Sequence, residues 1–201
     1  MHDTPLLPAG FVRPVELRTP DAWLRQQRID DAEADFEAVM ASREKLRTWG
    51  GDAWPEDDFT LDENRADLAG HIADADSLRA FGYTIWGADV KRVLGSLYLE
   101  PTAPFIDEYE ERAGARAALA SCDVRVELWL RSDMDGATER RIVAAVLEWL
   151  DHEWPFARPC WGSRAGMTRR REALESLGLG EIAVLDGADG SRRFHFHARP
   201  I

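Results

Sequence analysis

The clearest pattern of hydrophobic and polar positions lies over residues 124–131, where apolar and polar side chains alternate. Successive side chains of a β-strand point to opposite faces of a sheet, so this alternation predicts a strand with one apolar face. After a short acidic loop, apolar residues recur at helical spacing over 138–154, and Pro155 ends the pattern. The centre of the chain is therefore predicted to be a strand, a loop and an amphipathic helix.

The same two periods place the other elements. Asp30 and Glu33 form an Asp-x-x-Glu helix start, and Thr60 and Glu63 form a capping box that opens a second helix. Glycines within 49–51 predict a break between these helices. The remaining predicted elements are a hairpin over 80–99, a short helix in the second half of the 100–122 connection, a strand over 157–161, a helix over 168–177 and a second hairpin over 182–198.

Composition indicates one packed domain. The chain has 201 residues, 45% of them hydrophobic, with eight Trp and eight Phe. This length suits a single domain, and the apolar content is far above that of disordered chains. Residues 1–10, with Pro5, Pro8 and Gly10, are expected to form a loose tail.

The charge argues against two classes of partner. The formal net charge of −12 repels nucleic-acid backbones and anionic membranes, so neither is expected to bind. The excess of acid either keeps the protein soluble or lines a cleft that attracts cationic amines, and the sequence leaves both readings open.

Cysteine and histidine positions predict no disulfide framework and no metal site. Cys122 and Cys160 show no repeated spacing, which fits a reducing compartment. His195 and His197 alternate on one face of the last predicted strand, but no carboxylate or Cys accompanies them at ligand spacing. Without a signal segment or a long apolar run, the protein is predicted to be cytoplasmic.

Three segments carry a resemblance to a known superfamily. Residues 93–99 (VLGSLYL), 126–130 (VELWL) and 168–179 (TRRREALESLGL) are similar to the third strand, fourth strand and closing helix of GNAT acyltransferases, including those that modify ribosomal proteins. The resemblance implies an α+β fold with a mixed, mostly antiparallel central sheet of about six to seven strands and about four flanking helices. It also implies an N-terminal extension over 1–21 and one acyltransferase domain over 22–201.

The resemblance further implies an acetyl-CoA site. In the family, the fourth and fifth strands diverge to admit the pantetheine arm, and unpaired N–H groups of the next helix bind the pyrophosphate. The corresponding residues here are Leu130, Arg131, Ser132, Gly136, Ala137 and Thr138. The usual Gly-x-Gly or Gly-x-Ala element is reduced to one glycine, with Asp133 and Asp135 beside it. The alternative for Asp135 is that it only caps the helix.

Catalysis in this family needs a group that removes a proton from the amine. Glu127, on the polar face of the predicted strand, is the candidate, with pairing to Arg125 as the alternative. Trp49, Trp54 and Tyr83 are candidates for binding the acceptor, with core packing as their alternative. Residues 164–185 contain no Tyr to protonate the departing thiolate, which leaves water.

The resulting hypothesis is an N-acyltransferase that moves an acetyl group from acetyl-CoA to a primary amine of a small molecule or a protein N-terminus. The alternative is a GNAT-fold binding or scaffold protein that has lost cofactor chemistry. A homodimer through the last hairpin is a further expectation, by analogy alone.

Overall fold

The computed structural model describes residues 5–50, 53–102, 114–186 and 193–201. The strands are β1 (Glu16–Arg18), β2 (Ala22–Gln26), β3 (Phe81–Gly87), β4 (Val93–Glu100), β5 (Val124–Leu130), β6 (Pro159–Arg164), β7 (Gly180–Asp186) and β8 (Arg193–Ala198). The helices are α1 (Ala32–Ala41), α2 (Arg43–Gly50), α3 (Leu61–Asp76), α4 (Ala115–Ala120), α5 (Gly136–Glu153) and α6 (Thr168–Ser176), with a 3-10 turn at Ile29–Asp31 before α1.

One mixed sheet organises the described part of the chain. Its strand order is β1-β2-β3-β4-β5-β6-β8-β7, and every neighbouring pair is antiparallel except β5 and β6. Parallel neighbours need a crossover, which α5 supplies. The predicted fold class is confirmed. Compared with the prediction, the sheet has an additional strand, β1, which pairs with β2 and lies within residues 1–21. The helices α2 and α4 raise the number of described helices to six.

The two faces of β5 are covered by different helices. The side chains of Val126 and Leu128 belong to the main core together with Ile142 of α5. Trp129 points to the other face and packs with Val39 of α1 and with α2. The predicted alternation is therefore correct, but both faces are buried, and each fully buried aliphatic side chain stabilises the fold by about 1.5–3 kcal/mol.

The two predicted helix starts have different outcomes. The Thr60–Glu63 capping box is confirmed, with each side chain bonded to the other residue's backbone N–H. The Asp30–Glu33 start is wrong, because α1 follows the 3-10 turn and its first flanking residue, Asp31, makes no cap bond. The Asp31 carboxylate is instead buried and accepts hydrogen bonds from Arg25 and, at 3.1 Å, from Thr84.

Two other local predictions can be compared with the structure. Trp49 lies inside α2, not in a break after the first helix. Gly178, just after α6, has φ +86°, a left-handed conformation that favours glycine and ends the helix as predicted. No described helix is long and apolar enough to cross a bilayer.

The two cysteines, distant in sequence, are neighbours at the paired ends of β5 and β6. Both are buried free thiols. The hydrogen bond with Cys160 lowers the pKa of Cys122 to about 7.

Candidate active site

A gap opens in the sheet between β5 and β6. The two strands pair at only three positions, the last being Val126 with Trp161, although β5 continues to Leu130 and β6 to Arg164. Beyond the last pair, the Leu128 carbonyl accepts a hydrogen bond at 2.9 Å from a guanidinium nitrogen of Arg170. Backbone polar groups of β5 are therefore available to a partner other than a strand.

Glu127 lies on β5 beside this gap. Its Oε1 accepts a hydrogen bond from Arg125 at 2.8 Å, and its Oε2 lies 3.6 Å from a guanidinium nitrogen of Arg164. A methyl group at Gly162 on β6 would sit 2.1 Å from Oε1, so the carboxylate occupies space that only a glycine leaves free. The pairing with Arg125 considered from sequence is present, and Glu127 is 2% exposed.

A cavity of about 270 Å³ lies on the Glu127 side of the sheet. We call it the aromatic cavity, lined by Trp49, Trp54, Asp67, His71, Tyr98, Glu100, Arg125, Glu127 and Arg164. The Tyr98 ring centroid is 4.9 Å from that of His71 and 6.5 Å from that of Trp49. Three carboxylates face two guanidinium groups among these lining residues, which gives the aromatic cavity an acidic balance.

The structure brings Trp49 and Trp54 to this cavity but not Tyr83. The Tyr83 hydroxyl donates to the Pro14 carbonyl at 2.6 Å, and its ring meets Trp149 edge-on at 5.2 Å. Tyr83 pairs across the sheet with Leu97, which pairs with Leu128, so all three lie on the face covered by α5. Tyr83 is thus a core residue. The face of the sheet on which its side chain lies is set by the pairing register of the strands, which the sequence does not reveal.

The first turn of α5 is closed by its own chain. Asp135 is the capping residue, and its Oδ1 accepts from the backbone N–H groups of Ala137 at 3.0 Å and Thr138 at 2.9 Å. These backbone bonds, that of Thr138 first, hold the pKa of Asp135 below its usual range. The N–H groups expected to bind pyrophosphate next to Gly136 already have an anionic partner.

The other predicted cofactor residues are held by neighbouring elements. Leu130 is fully buried in the core. The Arg131 guanidinium donates to Glu37 at 2.7 Å and to Asp133 at 3.3 Å. The Ser132 hydroxyl donates to the last carbonyl of α1 at 3.1 Å. These contacts anchor the loop after β5 to α1.

A second cavity, of about 410 Å³, lies on the other side of the gap. We call it the basic cavity, lined by Lys45, Thr48, Ser132, Met134, Glu139, Gly166, Met167, Thr168, Arg169 and Arg170. Arg170 is 1% exposed and donates twice to Glu139 Oε1, at 2.7 and 3.0 Å. Burial raises the pKa of Glu139, but Arg170 outweighs it and keeps that pKa below its usual range.

Ser132, one of the expected cofactor residues, lines the basic cavity, but sequence patterns missed the charged residues that build it. Arg170 lies in a run of arginines on a helix, where solvent exposure is the ordinary expectation, and its buried partner Glu139 is in a different helix. Lys45, whose Nζ donates to the Arg131 carbonyl at 3.3 Å, lies in α2, which the sequence pattern did not separate from α1. Burial lowers the pKa of Lys45.

The two cavities share a wall. On α2, Thr48 lines the basic cavity and the next residue, Trp49, lines the aromatic cavity. At the end of β6, Arg164 lines the aromatic cavity, and Gly166, two residues later, lines the basic cavity. Glu127 lines the aromatic cavity, beside the gap between β5 and β6.

The described residues contain no cluster of three or more His, Cys, Asp or Glu side chains suited to a metal ion. His195 pairs with Glu181 at 2.7 Å, and His197 is fully buried in the sheet. The two histidines are thus accounted for by packing and by this pair.

No protein-family model matches the sequence, and no similar sequence is found among curated proteins. Solved structures do match. The ribosomal L7/L12 alpha-N-protein acetyltransferase RimL, in complex with coenzyme A, aligns with a TM-score of 0.69 at 16% identity, over 94% of this chain and 97% of that one.

Two further structures match in the same way. The ribosomal-protein-S5-alanine acetyltransferase from Vibrio fischeri has a TM-score of 0.64 at 14% identity, covering 92% and 96% of the two chains. An acetyl transferase from Salmonella typhimurium that modifies the N-terminal serine of L7/L12 has a TM-score of 0.63 at 15% identity, covering 94% and 98%. The chain has the GNAT acetyltransferase fold.

Proposed function

We propose that this protein is an acetyl-CoA-dependent N-acyltransferase that acts on a primary amine. The observation that carries the proposal is the gap between β5 and β6, which has a carboxylate beside it and a cavity on each side. A thioester entering from the basic cavity and an amine entering from the aromatic cavity would meet at Glu127. This arrangement gives two substrates one meeting point inside the protein.

The chemistry follows from these positions. Glu127 accepts a proton from the bound ammonium group, directly or through a water molecule, and the free amine attacks the thioester carbonyl. The N–H and C=O groups of one strand residue point to the same side, so the Leu128 N–H faces the gap with its carbonyl and stabilises the oxyanion. Collapse of the tetrahedral intermediate forms the amide and releases the thiolate; the second proton of the amine nitrogen passes to the thiolate through a water molecule, and Glu127 returns its own proton to solvent.

The aromatic cavity supports a cationic acceptor. Its acidic balance attracts an ammonium group, and the rings of Trp49, Trp54 and Tyr98 provide faces on which cations bind favourably. Burial raises the pKa of Tyr98, so its phenol stays neutral and adds no competing charge. A small-molecule amine and a protein N-terminus both fit this description, and the matched structures named for N-terminal modification support the second.

A scaffold or binding protein without cofactor chemistry is the second candidate. Asp135 satisfies the first N–H groups of α5, and Arg170 satisfies the Leu128 carbonyl. Both are places where polar groups of a bound CoA would otherwise find partners. This function needs the fold but no transfer reaction.

Binding of CoA separates the two candidates. A ligand present at 100 times its dissociation constant stabilises the folded state by about 2.7 kcal/mol, which raises Tm by roughly 5–10 °C in a domain of this size. We expect such a shift with both CoA and acetyl-CoA in a thermal melt. Absence of any shift at millimolar CoA would exclude the transferase and leave the scaffold.

A further inference from the structure

The basic cavity lies next to the gap and carries cationic side chains. Building on the proposed function, we infer that the basic cavity binds the diphosphate of the CoA substrate, at the first turn of α6 and not at the first turn of α5. Lys45 and Arg169 are the residues that hold it.

The charge of the cavity supports an anionic ligand. Glu139 is its only carboxylate among the lining residues, and Arg170 neutralises it with two hydrogen bonds. Lys45 and Arg169 then remain as two positive groups facing the space. Arg169 is exposed and forms no ion pair with any described residue. Within the same described residues, the ammonium group of half-buried Lys45 donates a hydrogen bond to a neutral carbonyl and to no carboxylate.

The start of α6 adds backbone donors to these side chains. Met167 is the residue that caps α6, and its side chain makes no cap hydrogen bond. The hydrogen bonds of this turn begin with the Arg170 N–H, so the N–H groups of Thr168 and Arg169 precede them. Both residues line the basic cavity, where unpaired helix N–H groups favour a bound anion.

The start of α5 disfavours the same ligand. Asp135 occupies its N–H groups, so a diphosphate there would meet a like charge and would have to displace it. The two sites are adjacent, since a methyl group at Gly136 would lie 3.9 Å from Cδ of Arg169. With the diphosphate at the first turn of α6 instead of the first turn of α5, the pantetheine arm of CoA therefore still reaches the gap.

Calorimetric titration of the full chain tests the inference with three probes: CoA, pantetheine, which lacks the diphosphate, and inorganic pyrophosphate. We expect Arg169→Gln and Lys45→Met each to weaken CoA and pyrophosphate binding about tenfold, as loss of a charge-assisted hydrogen bond does. Pantetheine affinity should not change. Arg140→Gln removes an exposed arginine that bonds Ser176 outside the cavity, and it should leave all three affinities unchanged.

The outcomes distinguish the inference from the proposed function. CoA binding that is equal in wild type, Arg169→Gln and Lys45→Met would overturn the inference while the transferase proposal stands. Pyrophosphate binding that depends on these residues, without CoA binding, would support an anion site in the basic cavity and overturn the transferase proposal. If neither CoA nor pyrophosphate binds the wild type, both are overturned. Circular dichroism of each variant confirms that it is folded.

Discussion

The aromatic cavity and the basic cavity lie on opposite sides of one wall, yet they carry opposite charge. The aromatic cavity has Asp67, Glu100 and Glu127 among aromatic rings, whereas the basic cavity offers Lys45 and Arg169. A single short helix, α2, contributes to both. Neighbouring residues of α2 thus face cavities of opposite charge.

This difference shows that overall charge is a poor guide to a binding site. The net charge of −12 predicts repulsion of anions from the protein as a whole. Locally, the buried pair of Arg170 and Glu139 removes the one carboxylate of the basic cavity and leaves a cationic surface. The two cavities therefore suit ligands of opposite charge, an anion in the basic cavity and a cation in the aromatic cavity.

The largest expected effect comes from a substitution in the aromatic cavity. Glu127→Gln keeps the shape of the side chain but removes its ability to accept a proton, so kcat should fall by about 10²–10⁴-fold. CoA affinity should not change, because the basic cavity is untouched. Steady-state kinetics with an amine panel and CoA titration provide the two measurements.

Glu100→Gln is the matched control, since Glu100 lines the same cavity and also pairs with Arg125 but lies farther along the sheet from the gap. It should alter the KM for the amine more than kcat. Equal kcat in wild type and Glu127→Gln would remove Glu127 from the mechanism.

The next largest effect concerns the buried ion pair of Arg170 and Glu139 beside the basic cavity. Arg170→Met leaves the Glu139 carboxylate buried without its partner, which should lower the free energy of unfolding by about 3–5 kcal/mol in urea denaturation. The double variant Arg170→Met/Glu139→Leu removes both charges and should recover most of that loss. If the double variant is as unstable as the single one, the pair is not what stabilises this side of the gap.

Much of the fold, but little of the basic cavity, was predictable from the sequence. The alternation of β5, the Thr60–Glu63 capping box and the Asp135 cap depend on residues close in sequence, and each pattern has a local physical cause. The gap between β5 and β6 and the Arg170–Glu139 pair depend on how distant segments meet. Periodicity carries no information about such contacts.

A smaller effect is expected when the start of α6 is given a carboxylate like the one that caps α5. Met167→Asp puts a carboxylate at the open start of α6, where it competes with a bound anion for the same N–H groups. Pyrophosphate affinity should fall by roughly threefold to tenfold, in line with charge effects at helix ends. Met167→Asn offers similar size without charge and should lose less. A gain in affinity with Met167→Asp would show that the anion binds elsewhere.

The smallest effect concerns pH. The folded state lowers the pKa of Asp135, so the stability from its cap is complete above the unfolded pKa of about 3.9 and is lost as pH falls through the lower folded pKa. Asp135→Ser retains a cap oxygen without a titrating group. The difference in urea midpoint between wild type and Asp135→Ser should therefore shrink between pH 6 and pH 3. A constant difference would mean that the charge of Asp135 contributes nothing to the cap.

The glycine opposite Glu127 limits how this chain can vary. Since a side chain at position 162 would overlap the Glu127 carboxylate, Gly162 cannot change while Glu127 keeps its position. A mutational scan should find position 162 as intolerant as the acidic residue itself, although glycine brings no functional group. In this protein, the position of the Glu127 carboxylate therefore depends on a residue of the neighbouring strand that has no side chain.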